Sequence, residues 1–163
     1  MGKASIEFDQ RPRLNSIGLM ILGRERPGFD PEWGEEIKTK VLEYISGSEL
    51  PCEVPSSPVN TVRTLEAALR EMKQKSADVL IVVQPTMSDG RFAPVLARDW
   101  DRPLVLWATP ERQTGEMISS NSLVGTHVFG ATLAQLGRTF EFVYGHPDEP
   151  ATREQLSLSI AAC

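Results

Sequence analysis

A chain of 163 residues with 40% hydrophobic content is one ordinary domain, long enough to bury a core, and its composition excludes wholesale disorder. Seventeen Lys and Arg against 22 Asp and Glu give a net charge of −5, and no basic stripe stands out. Nucleic acid and acidic membrane surfaces therefore have no electrostatic support as partners.

Residues 1–14 are polar and charged, without the apolar core of a secretion signal, and are expected to form a flexible N-terminal segment ahead of a single α/β domain over 15–163. The run Ile17-Gly-Leu-Met-Ile-Leu22 is too short for a lone helix and is stopped by Gly23, so it reads as a buried strand. Asp30-Pro31 then opens a helix: aspartate caps free amides, and proline is tolerated at the first helical position. Trp33, Ile37, Val41, Tyr44 and Ile45 follow at helical spacing, and Gly47 ends the stretch. Residues 52–54 read as an edge strand, because Pro51 and Pro55 suit an edge better than a centre.

Thr61 opens a second helix with Val62, Leu65, Leu69 and Met72 on one face. Residues 77–83 lack polar alternation, as expected of a strand covered on both faces. A short helix over 91–100, a buried strand over 103–108, a helix rich in small residues over 122–137, a strand over 140–144 and a helix over 151–162 complete the order. Gly130 inside the fourth helix costs about 1 kcal/mol against alanine, so a close backbone contact is expected there. Runs such as 17–22 and 79–83 fall far short of a bilayer span.

Five strand–helix alternations predict a three-layer α/β fold: a five-stranded parallel sheet, flavodoxin-like, in the order 2-1-3-4-5. Such sheets bind ligands outside the carboxyl ends of their strands, which directs attention to the loops 23–29, 84–90, 109–121 and 145–148. Common uses of the fold are missing from them. Gly23-Arg-Glu-Arg-Pro-Gly28 has the wrong spacing for a dinucleotide loop, no Gly-Lys-Ser/Thr tripeptide occurs, and Gln84-Pro85 stands where a phospho-accepting aspartate would end the central strand. The loop after the first strand is charged where a flavin phosphate would want hydroxyls. His127 and His146 have no ligand at metal spacing and read as surface or cap residues. No Gly-x-Ser-x-Gly elbow exists. Asp148 and Glu149 read as the start of the last helix, and Trp107 as core rather than platform.

What remains is a rim dense in hydrogen-bonding groups: Arg24, Glu25 and Arg26; Gln84, Thr86, Ser88 and Asp89; Thr109, Glu111, Arg112 and Gln113; and Ser119-Ser-Asn-Ser122. Amide, carboxylate and guanidinium groups in this density suit a hydroxyl-rich ligand, and the start of the Ser122 helix is expected to add free backbone N–H groups. The alternative, that these are solvated loop residues and caps, stands open beside it. If they are contacts, Glu111→Ala and Asn121→Ala should alter binding and leave stability nearly intact.

The residues also resemble a known family. Gly18-Leu-Met-Ile-Leu-Gly-Arg24 with Phe29-Asp30, Leu106-Trp-Ala-Thr-Pro-Glu-Arg112 with Gly115, and Asn121-Ser-Leu-Val-Gly125 resemble, in order and spacing, the N-terminal domain of L-fucose isomerase-like proteins, relatives of the L-fucose and L-arabinose isomerases. Tyr144-Gly145 before a Pro-Asp turn also fits. Where arabinose isomerases carry a histidine beside the glycine of the third stretch, this chain has Val124. The resemblance implies aldose–ketose interconversion, with a divalent metal, usually Mn2+, held by glutamates, an aspartate and a histidine of later domains. It thus implies a fold and a recognition surface, with no catalytic residue, no metal ligand and no cofactor in this chain itself. The implied partners are a sugar, pentose or 6-deoxyhexose, shared with a catalytic domain, and further copies in an oligomer. Matched by motif, the resemblance places Arg24, Gln84, Glu111 and Asn121 near the sugar-facing rim, and with Asp89, Arg112 and Ser120 of the polar loops they make up the candidate ligand-binding residues. Two other readings are a stand-alone sugar-binding module and a protein-interaction module. Cys52 and Cys163, far apart in sequence, read as free thiols of a reducing compartment, so the chain is expected to be cytoplasmic.

Overall fold

The computed structural model describes residues 14–26, 28–48, 50–114 and 117–163. Its short apolar runs become strands β1 (Ile17–Ile21), β2 (Cys52–Glu53), β3 (Val79–Gln84), β4 (Leu104–Ala108) and β5 (Glu141–Tyr144), each followed by a helix: α1 (Pro31–Ser46), α2 (Val62–Gln74), α3 (Phe92–Asp99), α4 (Ser122–Gln135) and α5 (Pro150–Ala162). The strands pair in parallel in the order β2-β1-β3-β4-β5. The register sets Ile17 opposite Val79, Leu80 opposite Leu104 and Val105 opposite Glu141. The expected α/β, flavodoxin-like order is the one observed.

Local chemistry accounts for the helix starts. Asp30 accepts the Trp33 amide at 3.0 Å with Pro31 at the first helical position. Thr61 and Thr64 cap α2 reciprocally, each hydroxyl taking the other's amide. Alternate residues of the sheet then face two cores. On one side Met20, Leu80, Val82 and Leu106 meet α2, α3 and α4; on the other Leu19, Ile81, Val105 and Trp107 meet α1 and α5. All six residues of β3 are buried, which explains its lack of alternation.

The structure shifts some expected boundaries. Leu22 leaves β1 as an isolated bridge to Val59, Val54 lies outside β2, and α4 ends before Gly137, which takes φ 74°. Phe140 is not part of β5; its ring sits under Gly130, where an added Cβ would lie 2.8 Å from it. That is the close contact expected at this glycine. The expected flexible segment falls outside the described residues except for Leu14, which packs against the α1–α5 core. Cys52, on one edge strand, and Cys163, at the end of α5, are free thiols; burial is the main cause that pushes Cys52 up to about 11.

Candidate functional site

The order β2-β1-β3 makes β1 and β3 the place where the chain reverses its direction across the sheet, and a crevice opens outside their carboxyl ends. It encloses about 410 Å3. Ile21, Leu42 and Val54 give it an apolar wall, while Arg24, Lys38 and Asn60 bring polar groups. Arg24 follows β1 directly, and its guanidinium lies over Gly28: a Cβ there would come within 2.7 Å of it. Glu35 forms an ion pair with Lys38 at 3.1 Å, so the crevice carries both signs of charge.

Across the switch point, Gln84 ends β3 with 2% of its surface exposed. Its Oε1 accepts the Ser88 amide at 3.0 Å and the Ser88 hydroxyl at 2.8 Å. Its Nε2 and the Thr126 hydroxyl are buried without a hydrogen-bond partner among the described residues. Asp89 is tied to Arg91, whose Nε and Nη2 approach one carboxylate oxygen at 2.9 and 2.5 Å. That bond is the main cause holding the Asp89 carboxyl below its ordinary value, with a smaller contribution from Arg24.

Glu111 turns away from solvent and into its own loop. Its Oε2 accepts the Ser119 amide at 2.6 Å, the Ser119 hydroxyl at 2.7 Å and the Ser120 amide at 2.7 Å. Its Oε1 accepts the Ser120 hydroxyl at 3.0 Å and the Asn121 amide at 2.7 Å. Burial pushes this carboxyl upward, but the donors of Ser120, Ser119 and Asn121 together outweigh it and hold the group below its ordinary value. A carboxylate offers about four lone-pair sites, so five donors leave none for a ligand.

The amides that lead into the Ser122 helix, whose start is expected to add free N–H groups, are in part already engaged. The Ser120 and Asn121 amides go to Glu111, and the Ser122 amide faces the Ser120 hydroxyl at 3.3 Å. Ser120 is fully buried, and its carbonyl accepts the Met87 amide at 2.8 Å, which fastens the loop after β4 to the loop after β3. Asn121 sits at φ 53°, ψ 27°, and its side chain makes no cap; its Nδ2 points at the Met87 sulfur at 3.3 Å. Glu111, Ser120 and Asn121 are thus brought into one network, while Gln84 bonds only Ser88 of the adjoining loop, Arg24 stands at the crevice and Asp89 pairs locally.

Arg112 joins this network to α1. Its amide donates to the Ser119 hydroxyl at 2.7 Å, its Nε approaches Asp30 at 3.4 Å, and its guanidinium stands 5.6 Å from the Trp33 ring. The Trp33 indole donates to the Pro110 carbonyl at 3.1 Å. A second, open depression of about 780 Å3 lies against Arg112, Phe29 and Ile118. Sequence reasoning placed Ser119 on the rim without its Glu111 contact, and missed Trp33 and Lys38. Trp33 and Lys38 belong to a helix read only for its core face. The Ser119–Glu111 contact joins residues eight apart with no regular element among the described residues between them, a spacing that carries no signal.

The remaining candidates fall in structural places. Trp107 is fully buried and donates to the Gly145 carbonyl at 3.0 Å. His127 is exposed and stacks on Phe142, and the His146 ring accepts the Asp148 amide at 3.2 Å. Asp148 does not cap α5; it pairs with Lys40 and lies 3.7 Å from Arg153. Gly115 of the resembling stretch lies outside the described residues. Among the described residues no three His, Cys, Asp or Glu converge to hold a metal ion, and no helix is long and apolar enough to cross a membrane. The described residues therefore offer no donor set for the divalent metal that the resemblance assigns to later domains.

No family model matches the chain. It is similar to proteins named sulfoquinovose isomerase: that of Priestia aryabhattai is 29% identical over 131 residues, 80% of this chain and 29% of that protein. The protein of Priestia megaterium matches to the same extent. That of Alkalicoccus urumqiensis is 28% identical over 143 residues, 86% of this chain and 31% of that protein. The chain spans about three tenths of the length of these curated relatives. The similarity supports a relationship to sugar isomerases, and not specifically to those of L-fucose and L-arabinose.

Proposed function

We propose that this chain is the N-terminal, substrate-recognition domain of a metal-dependent aldose–ketose isomerase, and that the sugar it serves carries an anionic group. The observation that supports this reading is the similarity over 131 residues to proteins named sulfoquinovose isomerase, of which it covers 29%. Sulfoquinovose is a 6-deoxyhexose with a sulfonate at C6, so it keeps the expected sugar class and adds one negative charge.

The crevice at the β1–β3 switch suits such a molecule. Its apolar wall accepts the ring face, and Arg24 offers a planar fork that matches two sulfonate oxygens at once. Lys38 stands in the same crevice with its charge met by Glu35, so Arg24 is the cation offered to the sulfonate. The domain's part is to bind and orient the sugar and to exclude water from one side. The divalent metal and the carboxylate that moves a proton would belong to another part of the enzyme, and no step of the isomerisation runs through residues of this chain.

Calorimetry of the purified chain against sulfoquinovose, glucose and L-fucose tests the reading. Heat is expected with sulfoquinovose and at least tenfold weaker binding for glucose, and Arg24→Ala should remove that preference. Absence of heat with all three sugars would overturn a recognition role.

A further inference from the structure

One wall of the crevice at the β1–β3 switch comes from a segment with few backbone bonds of its own. After Glu53 the chain runs Val54-Pro-Ser-Ser-Pro58, and its two prolines have no N–H to give. The sheet holds this segment at its two ends: Glu53 pairs with Gly18, and Val59 bridges to Leu22. Glu71 of α2 fastens the middle from behind, accepting the Ser56 amide at 3.0 Å and the Ser56 hydroxyl at 2.6 Å. The wall is thus fixed in place, and it ends on Asn60.

Asn60 combines a held backbone with an unengaged head. Its amide donates to the Thr64 hydroxyl at 3.1 Å, within the cap of α2, and the carbonyl of Val59 accepts the Gly23 amide at 2.8 Å. A Cβ added to Gly23 would stand 3.8 Å from that of Asn60. Asn60 therefore lies beside the residue that precedes Arg24, and both side chains line the same crevice. Gln84 and Glu111 spend their acceptors on Ser88 and on residues 119–121, whereas the half-buried Asn60 carboxamide makes no hydrogen bond among the described residues. A carboxamide sets an acceptor oxygen and a donor nitrogen side by side, which matches two neighbouring hydroxyls, one donating and one accepting.

We propose that Asn60 is a specificity-determining residue of the crevice, its carboxamide reading the hydroxyls at C4 and C3 of a sugar whose anionic arm Arg24 holds. This rests on the sugar reading above and adds the end of the sugar that is gripped. With the C6 arm on Arg24, C4 and C3 are the hydroxyl-bearing carbons nearest to it, and they fall to the side chain that enters from the adjoining backbone. Both hydroxyls of gluco-configured sulfoquinovose lie close to the mean plane of the ring, so one planar amide meets the two together. A C4 epimer turns one of them out of that plane and leaves half of the amide unpaired, which a polar site penalises strongly. Aldose–ketose interconversion takes place at C1 and C2. A domain that grips the C3–C6 end leaves those atoms to the rest of the enzyme, in keeping with a recognition role.

Calorimetry with sulfoquinovose and its C4 epimer tests the assignment. The wild-type chain is expected to favour sulfoquinovose at least tenfold. Asn60→Ala should weaken sulfoquinovose at least tenfold and leave the epimer nearly unchanged, so that the preference disappears, while thermal melts stay within a few degrees. Asn60→Ser, which keeps a polar residue before the cap but loses the paired donor and acceptor, should lose the preference too. Arg24→Ala should instead weaken both sugars by a similar factor, since both carry the sulfonate. An Asn60→Ala variant that binds sulfoquinovose as tightly as the wild type, or that loses both sugars equally, overturns this inference and leaves the recognition role standing. A wild-type chain that gives no heat with either sugar overturns the recognition role and this inference with it.

Discussion

At Glu111 two effects oppose each other: burial disfavours the ionised carboxylate, and the donors of Ser119, Ser120 and Asn121 favour it more strongly. A carboxyl held below its ordinary value in the folded state contributes stability above pH ~4.3, where the unfolded chain's carboxyl also ionises. That contribution is lost as pH falls through the depressed folded value. Glu111→Gln should therefore cost on the order of 1–3 kcal/mol in urea unfolding at pH 7, because several buried donors lose a charged acceptor. The gap between wild type and variant should shrink on acidification; a gap unchanged from pH 7 to pH 3 would mean that the ionised form contributes nothing. This replaces the expectation of a nearly neutral Glu111→Ala. Asn121 separates backbone from side chain. Its φ of 53° lies in the left-handed region, so Asn121→Gly should hold stability, and Asn121→Ala should cost about 1 kcal/mol. Equal losses in both would assign the effect to the side chain.

Helix α4 is decided by its neighbours rather than by its own periodicity. Its buried row runs through Ser122, Gly125, Thr126, Phe129, Gly130 and Leu133, where two glycines let strand-side groups come close. A Cβ at Gly125 would lie 2.8 Å from the Met87 side chain, and one at Gly130 2.8 Å from the Phe140 ring. Alanine at Gly130 would gain about 1 kcal/mol of helix propensity, while a clash with a packed ring costs typically 1–3 kcal/mol. Gly130→Ala should therefore lower the melting temperature, and adding Phe140→Leu should recover part of the loss. A Gly130→Ala variant more stable than the wild type would show that the ring moves aside freely. Helix α1 shows the opposite balance. Asp30, Pro31 and the row Trp33, Ile37, Val41 and Ile45 agree at every level, and the element forms as its residues dictate.

Two cores share one central strand. Leu80 faces α2 and α3, Ile81 faces α1, and both are fully buried. Leu80→Ala and Ile81→Ala should each cost about 2–5 kcal/mol, and each variant should still unfold in one transition, because β3 belongs to both layers. Two separated transitions in either variant would mean that the layers fold as independent units.

The sequence by itself determined the element order, the parallel sheet and the caps at Asp30 and Thr61, and it narrowed the strand order to a few right-handed topologies, of which the expected 2-1-3-4-5 is the one observed. The elements, the sheet and the caps follow from contacts a few residues apart or from an apolar run that has to be covered on both faces. It also located the rim, since the fold dictates which loops lie at the carboxyl ends of the strands. The direction in which each rim side chain points was left to the tertiary structure. Glu111 was legible as a polar residue after β4, yet its partners at 119–121 come from a loop with no periodicity, so only the closed chain reveals that its carboxylate is consumed internally. The same holds for Arg112 over Trp33, which joins residues 79 apart in the chain, where neither end carries a local sign of the other.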